Sequence, residues 1–215
     1  RQVRLTEAGK AFFSQARRAL AQLDQTVQIA RDVGRGFTGH VNVGYMDFAI
    51  YGPMPSILAR FRQEFPRAKV SLHRRRSDEQ SIEVAGQRLD IGFTVHHRFG
   101  ESLEVLLLTR ERLMLLLPPD HRLAALGCVP VHELAEETFV MGSRRSWQIF
   151  LPTVEAFCGR AGFAPRFAYE VDDGVAIFSL VAAGIGVSVY PACALDAAHG
   201  GLAIRPFAEE PPMVE

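Results

Sequence analysis

The sequence has few residues that carry covalent or metal chemistry, and it has no long apolar run. Its three cysteines, Cys128, Cys158 and Cys193, are odd in number and widely spaced, which favours reduced thiols over a disulfide framework or a zinc site. A run of about 18 apolar residues, which a membrane-spanning helix needs, does not occur. The nucleophile elbow, the phosphate-binding loop and the dinucleotide glycine pattern are also missing. These absences argue against an enzyme and predict no cofactor, no metal and no membrane partner.

The formal net charge of the 215-residue chain is zero, but the charge is unevenly distributed. Seven basic and three acidic residues occur through residue 35, so this end carries +4 and the remainder −4. A basic end suits a chain whose neighbouring segment binds phosphates, although an uneven spread without function explains the charge equally well. The composition, 48% hydrophobic and 22% charged, is typical of a folded globular protein rather than a disordered one.

The stretch from Thr6 to Gly34 predicts one long amphipathic helix. Thr6 is a suitable N-cap residue, and Glu7 in the first turn complements the helix dipole. Gly34 and Gly36 lie where a helix C-cap needs glycine. One face carries apolar residues three and four apart, among them Phe12, Ala16, Leu20, Leu23 and Val27. Two interpretations remain: the helix packs on its own domain, or it packs on the same helix of a second copy. We favour the second interpretation. A helix of about 27 residues spans roughly 40 Å, which is too long and too one-sided to fold alone against water.

Beyond this helix, short strands alternate with helices. We predict strands at residues 40–48, 68–73, 89–95, 103–109, 112–117, 138–141, 166–171, 186–190 and 202–207. The main intervening helices are predicted to begin at Gly52–Pro55, at Ser77, at about Ser146 and at Gly174. Such alternation predicts an α/β fold with parallel strands, in which ligands bind beyond the carboxyl ends of the strands, against helix N-termini.

Six short motifs, in this order along the chain, resemble those of LysR-type transcriptional regulators: Arg1–Gly9 (RQVRLTEAG), Gly39–Gly44 (GHVNVG), Arg88–Gly92 (RLDIG), Pro118–Leu123 (PPDHRL), Ala161–Pro165 (AGFAP) and Leu180–Val187 (LVAAGIGV). The resemblance implies two Rossmann-like subdomains of the periplasmic-binding-protein (type 2) kind, preceded by a long linker helix. The implied segments are the end of a winged helix-turn-helix at 1–5, a linker and dimerisation helix at 6–34, effector-binding subdomain I at 39–109 completed by 208–215, and subdomain II at 110–207. We expect the helix-turn-helix before residue 1 and a further strand and helix after residue 215.

The resemblance also implies a function. The protein would be a cytoplasmic, bacterial, DNA-binding regulator that forms homodimers or homotetramers through the linker helix, with Arg1 and Arg4 on the DNA backbone. A small molecule in the cleft between the subdomains would alter promoter binding; an organic acid, with an aromatic one as an option, is our expectation. RNA polymerase is a further candidate partner. The alternatives are a solute-binding protein of a transport system with the same fold, and a small enzyme on this fold.

The loop after the first strand supplies the first group of candidate effector-binding residues: Asp47, Phe48, Ala49 and Tyr51. In the family this loop often carries a hydroxyl residue for an effector carboxylate. Phe48 and Ala49 offer no hydroxyl, so an apolar or ring-bearing effector is expected here, or the Tyr51 hydroxyl serves as the donor.

Arg76 and Ser77 precede the second helix of the first subdomain. A guanidinium, a hydroxyl and the helix dipole together suit a carboxylate. A solvated basic strand end with Ser77 as a structural N-cap is the competing interpretation, and the two uses of the Ser77 oxygen exclude each other.

The remaining candidates follow other predicted strands: His96, Gly142, Ser143, Arg144, Trp147, Asp173 and Tyr190. Trp147 is either a partly exposed stacking surface or a core residue. His96 and His97 are adjacent in a strand and point to opposite faces, so they make a poor metal pair.

Overall fold

The computed structural model describes residues 5–34, 39–95, 103–193 and 201–215. In chain order its elements are α1 (Glu7–Gly34), β1 (Gly39–Tyr45), α2 (Asp47–Tyr51), α3 (Met54–Glu64), β2 (Ala68–Arg74), α4 (Ser77–Ala85), β3 (Ile91–Phe93), β4 (Glu111–Leu117), β5 (Thr138–Gly142), α5 (Phe150–Arg160), β6 (Arg166–Val171), α6 (Gly174–Ala182), β7 (Ser188–Pro191), β8 (Ala203–Arg205) and β9 (Met213–Val214). Two 3₁₀ turns, Arg122–Ala125 and Val131–Leu134, follow β4.

The chain forms two compact units. Unit 1 contains Arg1–Met46 and Pro55–Val105, and unit 2 contains Asp47–Met54 and Leu106–Glu215. This division differs from the predicted subdomain boundaries at three places, one of which is residues 106–109, predicted for subdomain I but part of unit 2. The segment Asp47–Met54 belongs to unit 2 although the chain on both sides of it belongs to unit 1. Residues 208–215 also belong to unit 2, because β9 pairs with the beginning of β4 in an antiparallel manner.

The long predicted helix is confirmed as α1, which has 28 residues. The Thr6 hydroxyl oxygen accepts a hydrogen bond from the Gly9 N–H at 3.0 Å, as an N-cap residue does. On the side opposite to the apolar stripe, the Arg18 guanidinium donates to the Ala85 carbonyl oxygen at the end of α4. Because α1 turns its polar side to the rest of unit 1, the large side chains of the stripe stay exposed, with Leu20 and Leu23 61% and 59% accessible.

The sheet of unit 1 is parallel, in the order β2-β1-β3. Gln80 of α4 is fully buried against it, and its amide nitrogen donates to the Arg75 and Phe93 carbonyl oxygens at 2.9 and 3.0 Å. These bonds tie together the chain just after β2 and the end of β3. The predicted strand 89–95 is shorter than expected, since only Ile91–Phe93 pairs with β1.

Unit 2 contains two sheets. The central strand β4 pairs in an antiparallel manner with β7, β8 and β9, and its leucines, Leu113 and Leu115–Leu117, are fully buried. The other sheet pairs β5 with β6 in parallel, with Gly142 opposite Val171. The carboxyl ends of these two strands therefore lie side by side, which brings the loops that follow them together.

Three sequence predictions require correction. The predicted strand at 103–109 is wrong: residues 104–110 have no regular structure, and Leu106 is 80% exposed. The chain crosses from unit 1 to unit 2 in this segment, and an apolar run does not form a strand without a partner. The strand predicted at 40–48 ends at Tyr45, and the loop predicted after it contains α2. The helix predicted from about Ser146 begins only at Phe150, because the Ser143 carbonyl oxygen accepts the N–H groups of both Ser146 and Trp147 and forms a turn first.

Candidate effector site

An aromatic cluster in unit 2 lies where the predicted site residues converge. We define the aromatic cluster as Phe48, Tyr51, Trp147, Phe150, Phe178 and Tyr190. The ring centroid of Phe48 lies 5.3 Å from Trp147, 5.3 Å from Phe150 and 4.9 Å from Tyr190. Tyr51 is joined to the same cluster through Phe178, which packs on Tyr190. Such tilted and edge-to-face contacts are favourable arrangements of aromatic rings.

The cluster answers the question that the sequence left open for Trp147. Its side chain is 7% exposed and contacts Phe48, Phe150 and Tyr190, so Trp147 is a core residue. Phe48, 5% exposed, anchors α2 to unit 2, whereas Ala49 beside it is half-buried.

Two glycines permit the rings to approach the backbone. A Cβ atom on Gly142 would lie 2.2 Å from atoms of the Trp147 indole, and a Cβ on Gly174 would lie 2.6 Å from the Tyr190 hydroxyl and 2.7 Å from the Tyr51 ring. All three distances are shorter than van der Waals contact, so neither position tolerates a side chain without displacing a ring. Gly142 therefore contributes as a close-approach position at the end of β5.

The two serines after β5 bind a carboxylate of the chain itself. The Ser143 and Ser146 hydroxyls both donate to one oxygen of Asp172, at 2.5 and 2.8 Å. Asp172 immediately follows β6, the parallel neighbour of β5. Asp172 is not among the site residues predicted from the sequence, although the pairing of β5 with β6, once known, would have indicated it.

Two further aspartates lie at the N-terminus of α6. Asp173 is the N-cap residue, and its carboxylate accepts from the Ala176 N–H at 2.7 Å. The Asp47 carboxylate, from α2, accepts from the Gly174 N–H at 3.0 Å. Carboxylates at this end of a helix are stabilised by the exposed N–H groups and by the helix dipole.

The Arg144 side chain contacts α5 and Phe167. Its guanidinium donates to the Glu155 carboxylate of α5 at 2.6 Å and lies 5.9 Å from the centroid of the Phe167 ring. Its side chain is 63% exposed, so this ion pair contributes little to stability.

In unit 1, the predicted carboxylate-binding pair also has partners within the chain. The Arg76 guanidinium forms ion pairs with Asp78 and Glu79, at 3.0 Å each, and its hydrogen bonds to Asp78 lower the pKa of that carboxyl. The Ser77 hydroxyl donates to the Met46 sulfur at 3.0 Å and does not cap α4, whose N-cap residue is Arg76. His96 lies outside the described residues, as do His97, Arg1 and Arg4.

The structure thus gathers Asp47, Phe48, Tyr51, Trp147 and Tyr190 in one part of unit 2. Gly142 ends β5, and Ser143 and Asp173 lie on the loops that follow β5 and β6. Besides Asp172, two members of the aromatic cluster are absent from the predicted site residues, Phe150 and Phe178. They are ordinary inward-facing helix residues by pattern, and nothing in their spacing distinguishes a site from a core.

The cysteines differ in burial, and burial raises the pKa of two of the thiols. Burial raises the pKa of the Cys158 thiol to about 11, and burial together with the nearby Glu111 carboxylate raises that of Cys193 to about 11 as well, whereas Cys128 is exposed. At pH 8 a thiol with such a pKa is about one part in a thousand thiolate, the reactive form. We expect Ellman's reagent at pH 8 to modify one thiol per chain quickly and two slowly, and Cys128→Ser to remove the fast phase. Two fast thiols would contradict this assignment.

Within the described residues, no group of three or more His, Cys, Asp or Glu side chains is arranged to hold a metal ion. Among the same residues, no helix combines the length and the hydropathy needed to cross a bilayer.

Comparison with known proteins identifies the family. Residues 34–215 match the LysR substrate binding domain. The regulator AlsR of Bacillus subtilis (strain 168), an HTH-type transcriptional regulator, is 29% identical over 192 residues, which cover 89% of this chain and 64% of AlsR. Full-length CbnR in complex with its target DNA has a TM-score of 0.76 and 26% identity, over 99% of this chain and 76% of CbnR. The BenM effector binding domain with benzoate has a TM-score of 0.70 and 23% identity, over 83% of this chain and 82% of that one.

These matches confirm the predicted α/β fold of the type 2 periplasmic-binding-protein kind. The chain spans 64% of the length of AlsR. It belongs to the LysR family, and residues 34–215 are its substrate-binding domain.

Proposed function

We propose that this chain is the linker and effector-binding part of a LysR-type transcriptional regulator whose promoter binding changes when a small molecule binds. The observation that carries the proposal is the family match over residues 34–215. AlsR is named as a transcriptional regulator, and CbnR was solved with its target DNA, which supports regulation over the transport and enzyme alternatives. The effector must bind two arrangements of the protein unequally to have this effect.

For unit 1, Arg76 and Ser77 stay the predicted effector-binding residues. For unit 2, the effector site is proposed to include the predicted residues that lie together there. Support comes from their placement at the ends of strands β1, β5 and β7 and at the N-terminus of α6. The BenM domain, which has the same fold, holds benzoate. We infer that the chain binds a small organic molecule without converting it, in the cytoplasm, and that its oligomers form through α1.

The DNA-binding part of the proposal predicts a salt-dependent affinity for promoter DNA. Each phosphate contact contributes about −0.9 to the slope of log K against log salt. If Arg1 and Arg4 each contact a phosphate, replacing both with alanine makes the slope of the full-length protein less negative by roughly 2. Fluorescence anisotropy with labelled promoter DNA at several salt concentrations measures this slope.

The control is Arg60→Ala, which removes an exposed arginine of α3 that is paired with Glu64 and should leave the slope unchanged. An affinity of the full-length protein that does not vary with salt would refute the DNA-binding proposal. Equal slopes for the wild type and the Arg1/Arg4 variant would refute the proposed backbone contacts.

A thermal-melt screen of the same protein tests the effector part of the proposal. A ligand that binds only the folded state stabilises it by about 2.7 kcal/mol at 100 times its dissociation constant. The panel contains aromatic and aliphatic acids together with their amides and amines, so that a hit also reports the charge that the site accepts.

A further inference from the structure

Carboxylates of the chain itself occupy hydrogen-bond donors of unit 2 that would otherwise suit an anion. The Ser143 and Ser146 hydroxyls donate to Asp172. The Gly174 N–H, at the first residue of α6, donates to Asp47. In the loop that carries the two serines, the Arg144 N–H also donates to a Glu170 oxygen, at 3.4 Å. Four donors from two loops therefore already face acids that the sequence supplies.

The charges around these donors oppose a further anion. Asp172 and Asp173 are adjacent in the chain, and Asp47 reaches the residue that follows them. Two arginines lie between the serines: Arg144 has its guanidinium bound to Glu155 on α5, and the side chain of Arg145 is exposed. A second carboxylate brought close to these groups would meet like charges at short range, where the repulsion is least screened.

Asp47 differs from the other acids because it comes from a separate segment. It begins α2, the segment whose flanking chain belongs to unit 1, and the next residue, Phe48, holds α2 in the aromatic cluster. Asp47 is half-buried, whereas Asp172 and Asp173 are exposed. A half-buried carboxylate on a helix N-terminus takes the position that the carboxylate of an external ligand would take.

We propose that Asp47 and Asp172 are specificity-determining residues that occupy the anion-binding donors of unit 2. The effector then presents hydrogen-bond donors or a positive charge to this unit, and any carboxylate it carries is bound elsewhere. This proposal rests on the proposed effector-binding function. It also narrows the expectation of an organic acid, because the acid group of such an effector would not be bound by these donors of unit 2.

The test asks whether removal of Asp47 lets an external carboxylate bind. The full chain is melted and its fluorescence recorded in sodium acetate and in sodium chloride at equal ionic strength. Trp147 is the only tryptophan and lies 5.3 Å from Phe48, so its emission reports on α2. We expect Asp47→Ala to lower the melting temperature. Acetate, but not chloride, should restore more than half of that loss with a saturable change in emission, and the wild type should show no acetate-specific effect.

Asp90→Ala is the matched control. Asp90 accepts a backbone hydrogen bond from Asn42 at 2.7 Å, but in unit 1 and away from a helix N-terminus. Its loss of stability should not be restored by acetate. Recovery of both variants to the same extent would mean that acetate acts as a general stabiliser, and that result would overturn the proposal.

Two further results would overturn it: an acetate effect on the wild type equal to that on Asp47→Ala, or no acetate effect on the variant. If Asp47→Ala does not melt cooperatively, Asp172→Ala is used, which removes the carboxylate that accepts from the Ser143 and Ser146 hydroxyls. Acetate should then restore stability and change the Trp147 emission of this variant and not of the wild type, and no acetate-specific effect would overturn the proposal. These readouts do not involve DNA. Failure of the regulator proposal, seen as salt-independent promoter binding, is therefore distinguishable from failure of the proposal for Asp47 and Asp172.

Discussion

Replacing Phe48 with alanine is expected to lower the free energy of unfolding of unit 2 by about 3–5 kcal/mol, as large-to-small substitutions of buried aromatic residues do. Phe48 is buried and contacts Trp147, Phe150 and Tyr190, which come from two other parts of the chain. Since a domain is stable by roughly 5–15 kcal/mol, this loss is a large part of the total. Urea denaturation followed by Trp147 emission measures it, and a red shift of the folded variant would show water reaching the indole.

Phe65→Ala is the matched control for this substitution. Phe65 is 54% exposed and packs on Phe61 in unit 1, so its loss should have a much smaller effect. A comparable loss of stability in the two variants would contradict the view that the aromatic cluster anchors α2.

Replacing both Leu20 and Leu23 with glutamate is expected to dissociate the oligomer that we propose to form through α1. Each leucine that an interface buries contributes about 1.5–3 kcal/mol. A dimer buries four such side chains, so the substitutions should weaken association by at least about 10⁴-fold. Sedimentation at micromolar concentration should then find a monomer in place of a dimer or tetramer, with unchanged helix content by circular dichroism.

The control pair is Gln15→Glu with Gln22→Glu, which adds the same two charges to the opposite side of α1. Both glutamines are exposed, so this variant should keep the oligomeric state of the wild type. If the leucine variant also keeps that state, α1 is not the interface.

The sequence predicted most elements correctly where local signals were strong. The cap at Thr6, the unbroken helical period and the terminal glycines determine α1, and strands β1, β2, β4, β5 and β6 follow from short apolar runs between turns. The error at 103–109 has a different origin. Its leucines match a buried strand in composition, but whether a strand forms depends on a pairing partner elsewhere in the chain.

The candidate site shows the same difference between what local sequence signals predict and what depends on distant parts of the chain. Sequence order placed loops at strand ends, and from that rule alone Asp47, Ser143 and Asp173 could be selected. What the arginines and serines bind could not be predicted, because their partners, Glu155 for Arg144 and Asp172 for Ser143, are 11 and 29 residues away.

The sequence by itself determined most of the elements, the family and the apolar stripe of α1, because hydrophobic period, caps and ordered motifs are local properties of the chain. Only the tertiary structure decided that α2 belongs to unit 2, that Trp147 is buried, and that Asp47 occupies the N-terminus of α6. Each of these depends on groups far apart in the chain: Asp47 and Gly174 are 127 residues apart. Hydrogen bonds and ring contacts of this kind are selected by packing and by the need to pair buried polar groups, which no local pattern records.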